Sequence, residues 1–284
     1  MAKNRKYKIV CDTNIFYEIA YRRIDPVKIK QNGNKILASP INFIELASFV
    51  NERNFEWKRE AAKAILKYAD EVLDDPDRYL ASLWGIKLEP LNINWWNYFK
   101  VIAEAKDIRQ LEEGILDLKN LEIHKLNLDF INLYRSYYKD FKRKAEEGFN
   151  SLIIGRSRLR EKGKIKYLNK IESKKFKEVL EDPQIKRRVV SDTYKRIECY
   201  ANQAKNIIYT DARISHMQRK LRVYIKVFLQ YIFKLGTTFA PVDNDWGDLE
   251  LIIYIQNNHK FFTRERRWIK IFHECSMDRF LFNY

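Results

Sequence analysis

The 284-residue chain predicts an α/β protein: a parallel sheet assembled from its two ends, with a large basic helical insertion between them. Three observations predict this. The first 50 residues alternate strand, helix, strand, helix; residues 236–284 return to the same alternation; and residues 106–235 carry long helical patterns with almost no strand signal. Strands that alternate with helices are joined by crossovers, and crossovers make the sheet parallel.

The elements follow in order. Residues 7–11 are β-branched and apolar, as in a buried strand, and the run stops at Asp12-Thr13-Asn14. A helix is expected over residues 15–23. Asp25-Pro26 ends it, because the residue before proline is driven out of the helical region. Residues 35–38 form a second short strand. Ser39-Pro40 then opens a helix over 41–50: serine caps, and proline fits the first helical position. That helix is apolar nearly all round, so it is mostly buried. A helical period continues over 55–73, residues 86–91 are a candidate third strand, and Asn94 caps a helix running to about Ala105.

In the middle, Phe130, Leu133, Tyr134, Tyr137, Tyr138 and Phe141 are spaced three and four apart, as on one helical face. Gly148 and Asp182-Pro183 mark breaks between helices. Toward the C-terminus, residues 244–248 read as a turn and cap, 249–255 as an apolar helix, 260–263 as a strand and 266–274 as a last helix. The chain therefore divides into two core halves, 1–105 and 236–284, around the helical block 106–235.

Composition narrows the function. No stretch approaches the roughly 20 consecutive apolar residues of a membrane span, and the basic start runs directly into the first strand without a signal core, so a cytoplasmic protein is the expectation. Cys11, Cys199 and Cys275 are odd in number and far apart, which argues against a disulfide framework. His124, His216, His259 and His273 form no zinc-hydrolase spacing, so carboxylates must carry any hydrolytic chemistry. Net charge is +16, and residues 106–235 hold 31 Lys+Arg against 17 Asp+Glu, so nearly all the excess sits in the middle. A localised positive field of this kind favours a polyanion, nucleic acid first and an anionic membrane second.

Two carboxylates stand out from their surroundings. Asp12 directly follows a buried strand, where a side chain projects into the crevice that α/β proteins use for ligands; the alternative role is a helix cap. Glu45 lies among Ile44, Leu46 and Ala47 in an apolar helix, where a lone carboxylate is costly unless a cation or an arginine compensates it.

With those residues in view, the sequence resembles a PIN domain. Asp12-Thr13-Asn14 after a strand, followed by a helix opened at Ser39 with Glu45 six residues on, is similar to that family's N-terminal half. Asp248 opening an apolar helix, a strand ending in Thr263, and Glu265 two residues later are similar to its C-terminal half. Glu265 departs from the commoner Asp or Asn, and Asp245 competes with Asp248 for the third acidic position. The resemblance covers residues 7–105 and 243–275 and leaves the middle uncovered. It implies a three-layer core with helices on both faces of the sheet, and a metal-dependent endoribonuclease leaving 5′-phosphate and 3′-hydroxyl ends. Its catalytic carboxylates would be Asp12, Glu45, Asp248 and Glu265, with Asp245 able to share the metal. Asn14 and Thr263 would hold these carboxylates by hydrogen bonds. Many PIN nucleases act as toxins or in defence under a protein inhibitor, so an inhibitory or assembly partner is part of the expectation, and an oligomer is compatible with it.

Clustered carboxylates without Cys or His suit Mg²⁺ or Mn²⁺ rather than zinc. The densest basic run supplies Arg156, Arg158, Arg160, Lys162, Lys164 and Lys166, in an alternation suited to a strand or extended loop; Lys186, Arg187 and Arg188 form a second candidate. Such residues grip phosphates without reading sequence, so RNA is expected over DNA only through the resemblance. The open alternatives are a DNA or structure-specific nuclease of the same fold, a non-catalytic RNA-binding or assembly subunit with a degenerate site, and an α/β phosphatase. The missing second Asp of an Asp-x-Asp pair counts against the last.

Overall fold

The structure is a computed structural model, and it describes residues 6–88, 94–122, 160–161, 164–165, 168, 170–198, 210–239, 241–242 and 244–284. The chain runs through β1 (Lys8–Cys11), α1 (Thr13–Ala20), α2 (Pro26–Ile29), β2 (Lys35–Ala38), α3 (Pro40–Ala47), α4 (Phe55–Tyr68), β3 (Glu71–Val72), α5 (Pro76–Leu83), α6 (Trp95–Glu104) and α7 (Ile108–Glu122). It continues through α8 (Lys170–Glu181), α9 (Pro183–Arg196), α10 (Asp211–Lys220), α11 (Arg222–Thr237), α12 (Asp245–Ile253), β4 (His259–Phe262) and α13 (Arg266–Glu274).

The four strands make one parallel sheet in the order β3-β2-β1-β4. Ile9, Val10 and Cys11 of β1 are fully buried, as are Ile36, Leu37 and Ala38 of β2, which is the continuous apolar run of a strand covered on both faces. The helices pack as two groups. One comprises α1, α3, α4 and α6; the other joins α5, α9, α11 and α12, with α12 also meeting α3. The arrangement is compatible with three layers, helices, sheet, helices. The chain steps from β1 out to β3 and then returns to the opposite side of β1. That return makes a topological switch point between β1 and β4, the place where open α/β sheets bind ligands.

Several expected elements shift. α1 begins earlier, at Thr13, because Asp12 itself is its cap. α3 ends at Ala47, ahead of Phe49, which takes a left-handed conformation (φ 51°). The helical period expected to reach residue 73 stops at Tyr68, and the third strand is Glu71–Val72 rather than 86–91; residues 86–88 are not strand and 89–93 lie outside the described residues. Residues 245–247, expected in a turn, are already helical. α6 follows Asn94 as expected, the Asn94 side chain accepting from the Trp96 N–H at 3.1 Å. Asp182-Pro183 does separate two helices, while the 130–141 stripe and Gly148 lie outside the described residues.

The segment 106–235 contributes to the core. Phe176, Val190, Met217 and Tyr231 join the same buried cluster as the strands. Cys11 is buried, Cys275 is half-buried and Cys199 lies outside the described residues. Among the described residues no helix is long and apolar enough to cross a membrane.

Candidate active site

Asp12, Ser39 and Thr263 each stand one residue beyond the carboxyl end of a strand, on the adjacent strands β1, β2 and β4. The Asp12 N–H extends the ladder by donating to the Phe262 carbonyl at 3.0 Å. Its fully buried carboxylate accepts from the Thr263 hydroxyl at 2.9 Å, and from the Asn14 N–H and Asn14 Nδ2 at 3.3 Å each. Asp12 therefore caps α1 and faces the switch point at once. Asn14 Nδ2 also donates to Glu265 Oε1 at 3.0 Å, so one amide joins carboxylates 253 residues apart in the chain. The Glu265 N–H donates to the Thr263 hydroxyl at 3.1 Å, which fixes the turn between β4 and α13.

Glu45 reaches the same place from α3. Its carboxylate accepts from the Thr13 hydroxyl, and Thr13 in turn accepts from Asn42 Nδ2 at 3.0 Å. Asn42 also takes the Ser39 N–H at 2.7 Å, so the α3 cap and the site share one side chain. Lys58 of α4 closes the other end of α3 by donating to the Glu45 carbonyl at 2.9 Å and to the Ser48 carbonyl. Burial lowers the Lys58 ammonium to about 8 against the pull of the Glu45 charge.

From α12 comes Asp248, fully buried. Its Oδ2 accepts from the Trp268 indole N–H at 2.6 Å, and its Oδ1 has no hydrogen-bond partner among the described residues. Burial, and then the charges of Asp12, Glu265 and Glu45, push the Asp248 carboxyl well above the usual carboxylate range. Asp12 is raised from 3.8 to about 6 by burial and then by Glu265, against the opposing hydrogen bonds from Thr263 and Asn14. Four acidic groups from opposite ends of the sequence thus act on one another.

Asp245 is also fully buried but is engaged elsewhere. It accepts from the Tyr231 hydroxyl and the Val242 N–H at 2.9 Å each and pairs with Arg267. Among the described residues, no three His, Cys, Asp or Glu side chains stand so that they could hold a metal ion as placed; the carboxylates answer Thr263, Asn14, Thr13 and Trp268 rather than a common point. The donor set is nevertheless what a hard cation requires: acidic oxygens only, with an orphaned buried oxygen on Asp248.

Of the basic residues, Arg156, Arg158, Lys162 and Lys166 lie outside the described residues. Arg160 and Lys164 fall in a two-stranded antiparallel pair, Arg160–Glu161 with Lys164–Ile165. Lys186, Arg187 and Arg188 ride the first turns of α9, where Arg187 pairs with Asp211 and Arg188 is exposed.

Reading the sequence missed Thr13, Asn42, Lys58, Trp268 and Gly247. A buried Trp needs an acceptor for its N–H, and that was the available signal for Trp268. Gly247 sits inside α12 because a Cβ there would come 2.6 Å from Glu45 Oε1. Gly247→Ala is therefore expected to displace Glu45 and, if this site cleaves a phosphodiester as the resemblance implies, to lower cleavage about tenfold, since small misplacements at a reacting centre are expensive. The melting midpoint should hold or rise, because Ala is the better helix former by roughly 1 kcal/mol. Unchanged cleavage would detach Glu45 from the chemistry.

Comparison with family models, curated proteins and solved structures finds no match for this chain.

Proposed function

We propose that the protein is a metal-dependent endoribonuclease with a PIN-like three-layer core, in which Asp12, Glu45, Asp248 and Glu265 hold Mg²⁺ or Mn²⁺. The observation that carries this reading is that Asp12, at the carboxyl end of β1, Glu265, Glu45 and the fully buried Asp248 act on one another: burial first, and then the charges of the other three, make Asp248 reluctant to ionise. Repulsion of this kind is relieved by a cation, and a cluster that raises its own proton affinity is poor structural design unless something positive is meant to sit there.

Each residue then has a task. Asp12 ends β1, Asp248 lies in the first turn of α12, Glu45 comes from α3, and Glu265 caps α13. Thr13, Asn14, Thr263 and Trp268 aim the carboxylates by the hydrogen bonds given above. A divalent ion held by these carboxylates would neutralise charge on the scissile phosphate and make a water more acidic for in-line attack. The basic residues of the middle segment hold the RNA backbone through its phosphates. A second reading, a non-catalytic RNA-binding subunit with a degenerate site, is favoured by the carboxylates' present engagement with other side chains.

Labelled RNA and DNA incubated with Mn²⁺ or with EDTA separate these readings and the DNA-nuclease alternative. A melting measurement tests the metal without turnover. Because the folded pKa of Asp12 is raised, the folded state keeps its proton where the unfolded chain has lost it. Stability is therefore fully present below 3.8 and is lost as pH rises through about 6. Mn²⁺ should restore it, raising the melting midpoint by roughly 5 °C near pH 7.5. The effect should vanish below about pH 5, where protons occupy the same oxygens. Identical midpoints with Mn²⁺ and with EDTA near pH 7.5 would remove the metal from the reading.

A further inference from the structure

Arg267 lies two residues beyond Glu265, on the first turn of α13. Its guanidinium pairs with Asp245, stands 3.8 Å from Glu265 Oε2, and rests near the rings of Phe239 at 5.5 Å and Trp268 at 6.0 Å. Asp245 is wholly buried, whereas the Arg267 side chain is 24% exposed. The other oxygen of Asp245 is already taken by Tyr231 and by the Val242 N–H. A buried carboxylate thus anchors a cation whose outer edge reaches solvent beside the acidic cluster.

We propose that Arg267 binds a phosphate group of the nucleic-acid substrate, and that Asp245 is the clamp that holds it rather than a ligand to the ion. The inference rests on the nuclease reading and extends it. The ion pairs of Arg267 with Asp245 and Glu265 both use Nη2, and a guanidinium carries five N–H donors in a planar fork that matches phosphate oxygens. The surrounding carboxylates repel a phosphodiester, and a fixed cation at their edge offsets that repulsion and sets where the phosphate sits. The rings of Phe239 and Trp268 limit the orientations the guanidinium can take, so little freedom is lost on binding. If Arg267 were only a bolt between α12 and α13, its removal would cost stability and leave nucleic-acid affinity alone.

The test uses the full chain, EDTA to prevent turnover, and a labelled single-stranded RNA of about 20 nucleotides. Arg267→Met is expected to weaken binding about tenfold at ~0.1 M salt and to reduce the salt slope by about one. Arg267→Lys should keep the slope and lose part of the affinity. Lys28→Met, on α2 ahead of the amino end of β2, should match the wild type. Should Arg267→Met fail to fold, Arg267→Lys still tests the inference: partly weakened binding with an unchanged salt slope supports it, and wild-type affinity counts against it. Wild-type affinity and slope in folded Arg267 variants would overturn the inference, as would a wild-type chain that shows no salt-dependent RNA binding. Weakened binding in Arg267→Met by a chain that cleaves neither RNA nor DNA with Mn²⁺ would leave the phosphate site standing and remove the nuclease reading.

Discussion

Asp12→Asn is expected to reduce RNA cleavage by about 10³-fold or more while RNA binding persists and the melting midpoint rises. The opposite signs follow from the two roles of the residue. Asparagine caps a helix as well as aspartate does: with its oxygen in the place of Oδ1 it still accepts from the Asn14 N–H, and the Thr263 hydroxyl, which donates to Oδ2 in the native chain, can turn to accept from the new amide N–H. The scaffold therefore survives. What is lost is one negative charge from a buried cluster: burial and then Glu265 raise Asp12, and burial and then Asp12 raise Asp248. Removing a charge that the folded state holds unwillingly stabilises it by up to about 3 kcal/mol near neutral pH, since each tenfold rise in proton affinity corresponds to about 1.4 kcal/mol. The same charge is what a divalent ion needs. Activity and stability would trade directly at this position, as they do where a site is kept strained for function. Cleavage rates, RNA affinity and melting curves on the same preparation check it; an Asp12→Asn chain that cuts as fast as the wild type, whatever its stability, removes Asp12 from the catalytic role.

How much of this was legible depends on how local each cause is. Asp12 and Glu45 could be read because their surroundings are anomalous within a few residues: a carboxylate at the end of a buried strand, another inside an apolar helix. β3 could not, because two residues cannot establish a period, and Glu71–Val72 continue the pattern of α4. Asp248 could be preferred to Asp245 by its register with the apolar helix, but nothing within the short acidic run told their roles apart. They are separated by tertiary partners, since Tyr231 and Arg267 claim the first while Trp268 takes the second. Gly247 read as a turn glycine, and only the approach of Glu45 across the fold explains it. The basic middle was summarised by its charge, which concealed the inward-facing members: Arg196, which bonds Asp77 and Glu250, and Lys234, which pairs with Glu274.

Arg196→Met is expected to lower unfolding stability by about 3 kcal/mol near pH 8. Arg196 of α9 forms a two-pronged pair with Glu250 of α12, at 2.9 and 2.8 Å, and reaches Asp77 of α5 at 2.6 Å. Glu250 is only 3% exposed, so deleting the guanidinium leaves a carboxylate with no route to water. Breaking one half of a buried pair costs several kcal/mol even where the intact pair contributes little, because the remaining charge keeps its full desolvation penalty. Burial already raises the Glu250 carboxyl, with Arg196 opposing that effect, so without Arg196 the group should take up a proton more readily. The loss should therefore shrink toward pH 5. The double variant Arg196→Met/Glu250→Leu should recover most of the stability, since a hydrophobic pair of similar volume often serves as well as a buried ion pair. Denaturant titrations at the two pH values measure all three quantities, and a single variant within about 1 kcal/mol of the wild type at both would show that Glu250 finds another partner or water. The consequence extends to the site, because Glu250 stands two residues from Asp248 on the same helix. On the nuclease reading, cleavage should therefore fall in Arg196→Met and return with stability in the double variant.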